Sequence, residues 1–244
     1  NGKVQLNTEV IGEIVKNIPR EILERKLSEI IENTKAYIDE YGNMQYNWGA
    51  LGGIVKNIPQ EILEERLNEI IENAVKFRVS RMTYRDPKAI GEIVKNIPQE
   101  MLEKRLNEII ENTKTYIDEN GKVQPNLEVI GEIVKNIPRE ILEERLNEII
   151  ENTHTYIDEN GKIQSNPGAV REIVKNIPQE ILEERLIEII ETTKTYIDAN
   201  GKIQSNPGAV REIVKNITRE ILEERLNEII ENTKTYMDKY GNVY

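Results

Sequence analysis

The hexapeptide Ile-Val-Lys-Asn-Ile-Pro begins at Ile14, Ile54, Ile93, Ile133 and Ile173, and returns at Ile213 with Thr218 in place of proline. The spacings are 40, 39, 40, 40 and 40, so the chain is six copies of one unit. Counted from the Asn-Gly turn, the copies occupy residues 1–40, 41–79, 80–119, 120–159, 160–199 and 200–239, and residues 240–244 open a further one. A unit this short cannot bury its own apolar face, so a period near 40 calls for a stacked array in which neighbours cover one another. Both ends fall at a repeat boundary, and the array is expected to continue in a longer protein.

Copy five shows how a unit is built. Asn166-Pro167 supplies an N-cap followed by proline at the first helical position, and Val170, Ile173, Val174 and Ile177 recur at helical spacing. Pro178 disfavours helical geometry at Ile177 and is expected to open a second helix after a tight corner. That helix carries Ile181, Leu182, Leu186, Ile189 and Ile190 on one stripe and glutamates elsewhere. Arg185 and Glu188 can pair, whereas Glu184 and Glu188 repel, so packing must hold the helix.

The connector has two readings. Residues from Thr193 to Ile197 could prolong the second helix, with Gly201 as its stop. Alternatively, a type I turn with Gly161 in the left-handed position makes a β-hairpin that sets Asp158 opposite Lys162 and Ile157 opposite Ile163. The matched pairs favour the hairpin, as does the period-two run Val75-Lys76-Phe77-Arg78-Val79 in copy two. The expected fold is therefore mainly α: one array over residues 1–244 of six tandem helical hairpins, an α-solenoid, with a short β-hairpin or loop between units. The unit resembles those of helical-hairpin solenoids, the class that includes HEAT and tetratricopeptide arrays, in its helix-turn-helix plan. It carries no family signature, and tetratricopeptide units are shorter.

Composition narrows the function. With 44 acids against 33 bases the net charge is −11, which disfavours a general grip on nucleic acid or an anionic bilayer. There is no cysteine, which removes disulfides and thiolate chemistry, and no apolar run approaches the roughly 18 residues of a membrane span. The turn Asp158-Glu159-Asn160-Gly161 resembles the middle of a calcium loop, but Tyr156 and Pro167 stand where the first and twelfth ligands belong. The single histidine, His154, replaces a lysine found at 35, 114, 194 and 234, and reads as a surface substitution. No nucleophile elbow or phosphate loop occurs, so neither catalysis nor a cofactor is expected. Asn216-Ile217-Thr218 is a glycosylation sequon in which Thr218 can serve instead as a helix cap.

One region departs from the pattern. Copies five and six differ at six positions, whereas copy two and the start of copy three lose much of the consensus connector and one residue of it. This region gathers Tyr41, Tyr46, Trp48, Phe77 and Tyr84, including the only Trp and Phe. It also brings Lys76, Arg78, Arg81, Arg85 and Lys88 against a single acid, Asp86. Aromatic and arginine side chains are frequent interface anchors, so Tyr46, Trp48, Phe77, Arg78, Arg81, Tyr84 and Arg85 are the candidate partner-binding residues. Drift of an older copy, its aromatics filling the gap, explains the same residues without function. The deletion is also expected to shift the hairpin phase and bend the superhelix at 74–88.

The expected function is a noncatalytic scaffold for a protein or peptide partner. A structural spacer or repetitive surface segment is the alternative, and modular nucleic-acid reading, disfavoured by charge, is the third. With no polar capping unit, end-to-end self-association is expected of the terminal copies.

Overall fold

Among the described residues, the first helix of copies two to six follows an asparagine or aspartate: Asn47, Asp86, Asn126, Asn166 and Asn206. Asn166 accepts a hydrogen bond from the Ala169 N–H at 3.2 Å, and Pro167 fills the first helical position, where its missing N–H costs nothing. The computed structural model describes residues 8–39, 41–79 and 82–235. Among them twelve helices form six successive pairs. These are α1 (Thr8–Asn17) with α2 (Arg20–Thr34), α3 (Trp48–Asn57) with α4 (Gln60–Val75), and α5 (Pro87–Asn96) with α6 (Gln99–Thr113). They continue as α7 (Leu127–Asn136) with α8 (Arg139–Thr153), α9 (Pro167–Asn176) with α10 (Gln179–Thr193), and α11 (Pro207–Asn216) with α12 (Arg219–Thr233).

The corner within a pair is two residues long. Ile177 is extended (φ −75°, ψ 148°), as proline demands of the residue before it. Pro178 does not open α10, as the sequence suggests, but stands one residue ahead of it, and its carbonyl accepts the Leu182 N–H at 3.0 Å. Thr218 replaces this proline at the start of α12 and caps it, its hydroxyl accepting from the Ile221 N–H at 3.3 Å.

Between pairs the hairpin is formed: β1 (Ala36–Ile38) with β2 (Met44–Tyr46), β3 (Lys76–Val79) with β4 (Met82–Arg85), β5 (Thr115–Ile117) with β6 (Val123–Pro125), β7 (Thr155–Ile157) with β8 (Ile163–Ser165), and β9 (Thr195–Ile197) with β10 (Ile203–Ser205). Ile157 opposes Ile163, and the Asp158 N–H donates to the Lys162 carbonyl at 2.9 Å. Gly161 takes φ +74°, the left-handed geometry that a side chain would strain. The Asp158 carboxylate is not spent on the Lys162 ammonium; it accepts from the Asn160 and Lys162 N–H groups, both at 2.9 Å, and from the Gln164 amide at 2.8 Å.

The strands on either side of the deletion in copy two keep their pairing. Lys76↔Arg85, Phe77↔Tyr84 and Arg78↔Thr83 repeat the register of Thr155↔Ser165, Tyr156↔Gln164 and Ile157↔Ile163. Hairpin phase is therefore kept, contrary to the expectation from the missing residue.

The chain divides into two compact units, residues 1–106 and 107–244. In the first, α1 packs on α3, α3 on α5 and α2 on α4; in the second, α7 packs on α9, α9 on α11, α8 on α10 and α10 on α12. Leu182, Leu186, Ile189 and Ile190 of α10 are no more than 1% exposed, as are Leu63, Leu67 and Ile70 of α4. Each such burial contributes about 1.5–3 kcal/mol.

Polar rungs join successive second helices. Asn107 Nδ2 donates to the Glu148 carboxylate, Asn147 Nδ2 to that of Glu188 and Ser28 Oγ to that of Glu69. Glu69 and Glu148 are also paired with Arg66 and Arg145 one turn earlier. The Arg66 and Ser28 bonds hold Glu69 below the ordinary carboxylate range, and the Asn107 and Arg145 bonds do so for Glu148. Arginine reaches back as well: Arg105 Nη1 donates to the Glu64 carbonyl at 3.1 Å, and Arg225 Nη1 to the Glu183 carbonyl at 2.9 Å.

Candidate functional site

The candidate residues fall on two successive hairpins. Tyr46 ends β2 and Trp48 begins α3; between them Asn47 caps the helix, accepting from the Ala50 N–H at 3.1 Å. This tight entry stacks the two rings, with centroids 4.9 Å apart and planes 21° from parallel. Both are half-buried, so the pair packs at the foot of the hairpin and still offers part of its surface. Phe77 and Arg78 lie on β3, and Tyr84 and Arg85 on β4, where Phe77 is the register partner of Tyr84. Arg81 lies outside the described residues. Asp86 caps α5, accepting from the Lys88 N–H at 2.9 Å.

The apolar surface missed by sequence reasoning lies at the tip of the β1–β2 hairpin. Ile38 is 69% exposed, Tyr41 81% and Met44 58%. Ile38 and Met44 are cross-strand partners, and Tyr41 sits in the turn just before Gly42 at φ +80°. Asp39 fixes the tip: one carboxylate oxygen accepts from the Tyr41 N–H at 2.9 Å and the Asn43 N–H at 2.8 Å, and the other from the Gln45 amide at 2.9 Å. The Gln45 bond and then the Asn43 N–H hold its pKa below the ordinary aspartate range. The same hairpin position leaves Ile117, Ile157 and Ile197 exposed by 69%, 61% and 58%. The signal was present as the apolar pair Ile157/Ile163, which reads as a stabilising contact until the strand face is seen to have nothing across it.

The other chemical candidates are occupied structurally. Both oxygens of Asp158 serve its own turn, so the calcium-like segment spends its carboxylate on N–H donors. Among the described residues no group of three or more His, Asp or Glu is placed to hold a metal ion. His154 Nδ1 lies 3.0 Å from both the Ile150 and Glu151 carbonyls, folded onto the end of its own helix. Asn216 of the sequon donates to the Glu212 carbonyl at 2.7 Å while Thr218 caps α12. None of the described helices is long and apolar enough to cross a membrane.

By its architecture the protein belongs with helical repeats, its successive packed helix pairs joined by two-stranded hairpins. No family model matches the chain, and no curated protein is significantly similar to it.

Proposed function

We propose that the chain is a noncatalytic protein-interaction scaffold whose hairpins present the contact surface. The observation that carries this reading is the apolar tip of Ile38, Tyr41 and Met44, exposed by 58–81%, whereas the helix stripes of copies two to five are buried. A preorganised tip binds at low entropic cost, because its geometry is already paid in folding. The Tyr46–Trp48 stack at its foot adds the aromatic surface that interfaces favour. The Asp158, Glu148 and Glu69 carboxylates, all held below their ordinary pKa range, are tied to a turn and to rungs, a structural use of their charge.

The test is affinity capture with three chains: the native array, an Ile38→Ser/Met44→Ser variant, and a variant with residues 74–88 replaced by the consensus connector. The tip variant is expected to lose the recovered partner while keeping its helical circular dichroism. Loss confined to the connector variant would move the site to β3–β4, and equal capture by all three would leave a structural spacer.

A further inference from the structure

The β3–β4 hairpin carries a different chemistry on each face. Cross-strand partners share a face and neighbours along a strand alternate, so the register Lys76↔Arg85, Phe77↔Tyr84, Arg78↔Thr83 and Val79↔Met82 sorts its residues. Phe77, Val79, Met82 and Tyr84 fall on one face, and Lys76, Arg78, Thr83 and Arg85 on the other. Phe77 and Tyr84 take the register positions of Tyr156 and Gln164, which are half-buried in copy four. Arg78 takes the position at which Ile38, Ile117, Ile157 and Ile197 stand 58–69% exposed on the other four hairpins.

Packing of a divergent copy accounts for the aromatic face and not for the cationic one. Lys76 and Arg85 are direct cross-strand partners, and like charges so placed weaken a hairpin. The same pair of positions holds Thr115 and Pro125, Thr155 and Ser165, or Thr195 and Ser205 elsewhere, all neutral. A local rule broken without a packing gain marks a functional position. The charge also runs against its surroundings: the whole chain carries −11, and α4, which leads into β3, has Glu61, Glu64, Glu65, Glu69 and Glu72 against Arg66 alone.

From this placement we infer that the cationic face of β3–β4 binds a short acidic peptide segment of a partner protein, with Lys76, Arg78 and Arg85 as the charges that recognise it. The site is distinct from the apolar β1–β2 tip in position and in chemistry. Alternate residues of an extended peptide lie roughly 6.6 Å apart on one face, the same spacing as Lys76 and Arg78 along β3, so acids at every second position match both. Bound carboxylates also offset the repulsion between Lys76 and Arg85. A long polyanion such as RNA would run on from the hairpin over glutamate-rich helices, which favours the short peptide.

Fluorescence anisotropy tests this with a labelled peptide of alternating glutamate and serine, in about 0.1 M and about 1 M salt, where the Debye length falls from about 10 Å to about 3 Å. The native chain is expected to bind with a Kd below about 1 mM in the first and to release the peptide in the second. Lys76→Thr/Arg78→Ile/Arg85→Ser installs the residues that copy four holds at those register positions, and is expected to keep native circular dichroism and weaken binding about tenfold. Arg78→Gln alone should weaken it about threefold. Ile38→Ser/Met44→Ser should leave it unchanged, which separates the fate of this site from that of the β1–β2 tip. The inference is overturned if the native chain shows no saturable binding below about 1 mM, if the triple variant binds as the native chain does, or if the tip variant loses binding. Tighter binding of a single-stranded oligouridylate of equal charge overturns it as well, in favour of a nucleic-acid site.

Discussion

Lys194 shows how one side chain can tie two copies together. It stands at the end of α10, and its ammonium donates to the Asn232 carbonyl in the last turn of α12, where a cation meets the negative end of the helix dipole. Lys35 does the same for Asn73 at 3.0 Å, and Lys114 for Asn152 at 2.8 Å. His154 interrupts this series: its ring is too short for the crossing and returns to its own helix. His154→Lys is therefore expected to stabilise the chain by about 0.5–1 kcal/mol, the scale of a cation at a helix C-terminus, and Lys114→Ala to destabilise it comparably. Urea unfolding midpoints check both, and an unchanged midpoint in His154→Lys would count against the bridge as a source of stability. The substitution itself is visible in the sequence, yet its consequence is not, because the acceptor lies 38 residues away on the neighbouring copy. The same holds for Ile187, which occupies the position of Asn147 and so leaves the rung to the next copy without its donor.

At the scale of the element, the first helix of each unit was legible from its cap and spacing, and the hairpin from its turn residues. What the turn carboxylate does was not, because Asp158 has both a lysine and a set of N–H donors within reach, and only the closed turn shows that the N–H groups win. In Asp158 the Gln164 amide and then the Lys162 N–H lower the pKa; in Asp118 and Asp198 the N–H of Lys122 or Lys202 leads. A carboxylate with its pKa lowered on folding stabilises above its unfolded value, near 3.9, and loses that contribution as pH falls toward the folded one. Native stability should therefore decline below about pH 4, and a triple Asp118→Asn/Asp158→Asn/Asp198→Asn variant should start lower at pH 7 and decline less steeply, by urea titration across pH. Helix packing gives a second prediction. A Cβ at Gly131 would lie 3.2 Å from Asn176 Nδ2 and 3.3 Å from Glu172 Oε2, both side-chain and not backbone atoms, and the equivalent positions in copies five and six already hold Arg171 and Arg211. Gly131→Ala is expected to gain about 0.5–1 kcal/mol from helix propensity, and a lower unfolding midpoint would show that Asn176 cannot give way.

For the whole molecule, the period of 40 made the array legible, since it forces neighbouring copies to cover one another. It did not show which apolar residues stay outside, because Ile157 on a hairpin and Ile190 on a helix differ in what lies opposite and not in residue type. Stability in an array is a sum of unit and interface contributions, so a copy with one interface should open before a copy with two. Leu226 and Ile230 of α12 are about half exposed where Leu186 and Ile190 of α10 are fully buried. Losing half the burial of two large side chains costs roughly 1.5–3 kcal/mol, which corresponds to amide exchange about ten to a hundred times faster in α12 than in α10. Native-state hydrogen exchange at low micromolar concentration measures this, with equal protection in α10 and α12 as the contrary result.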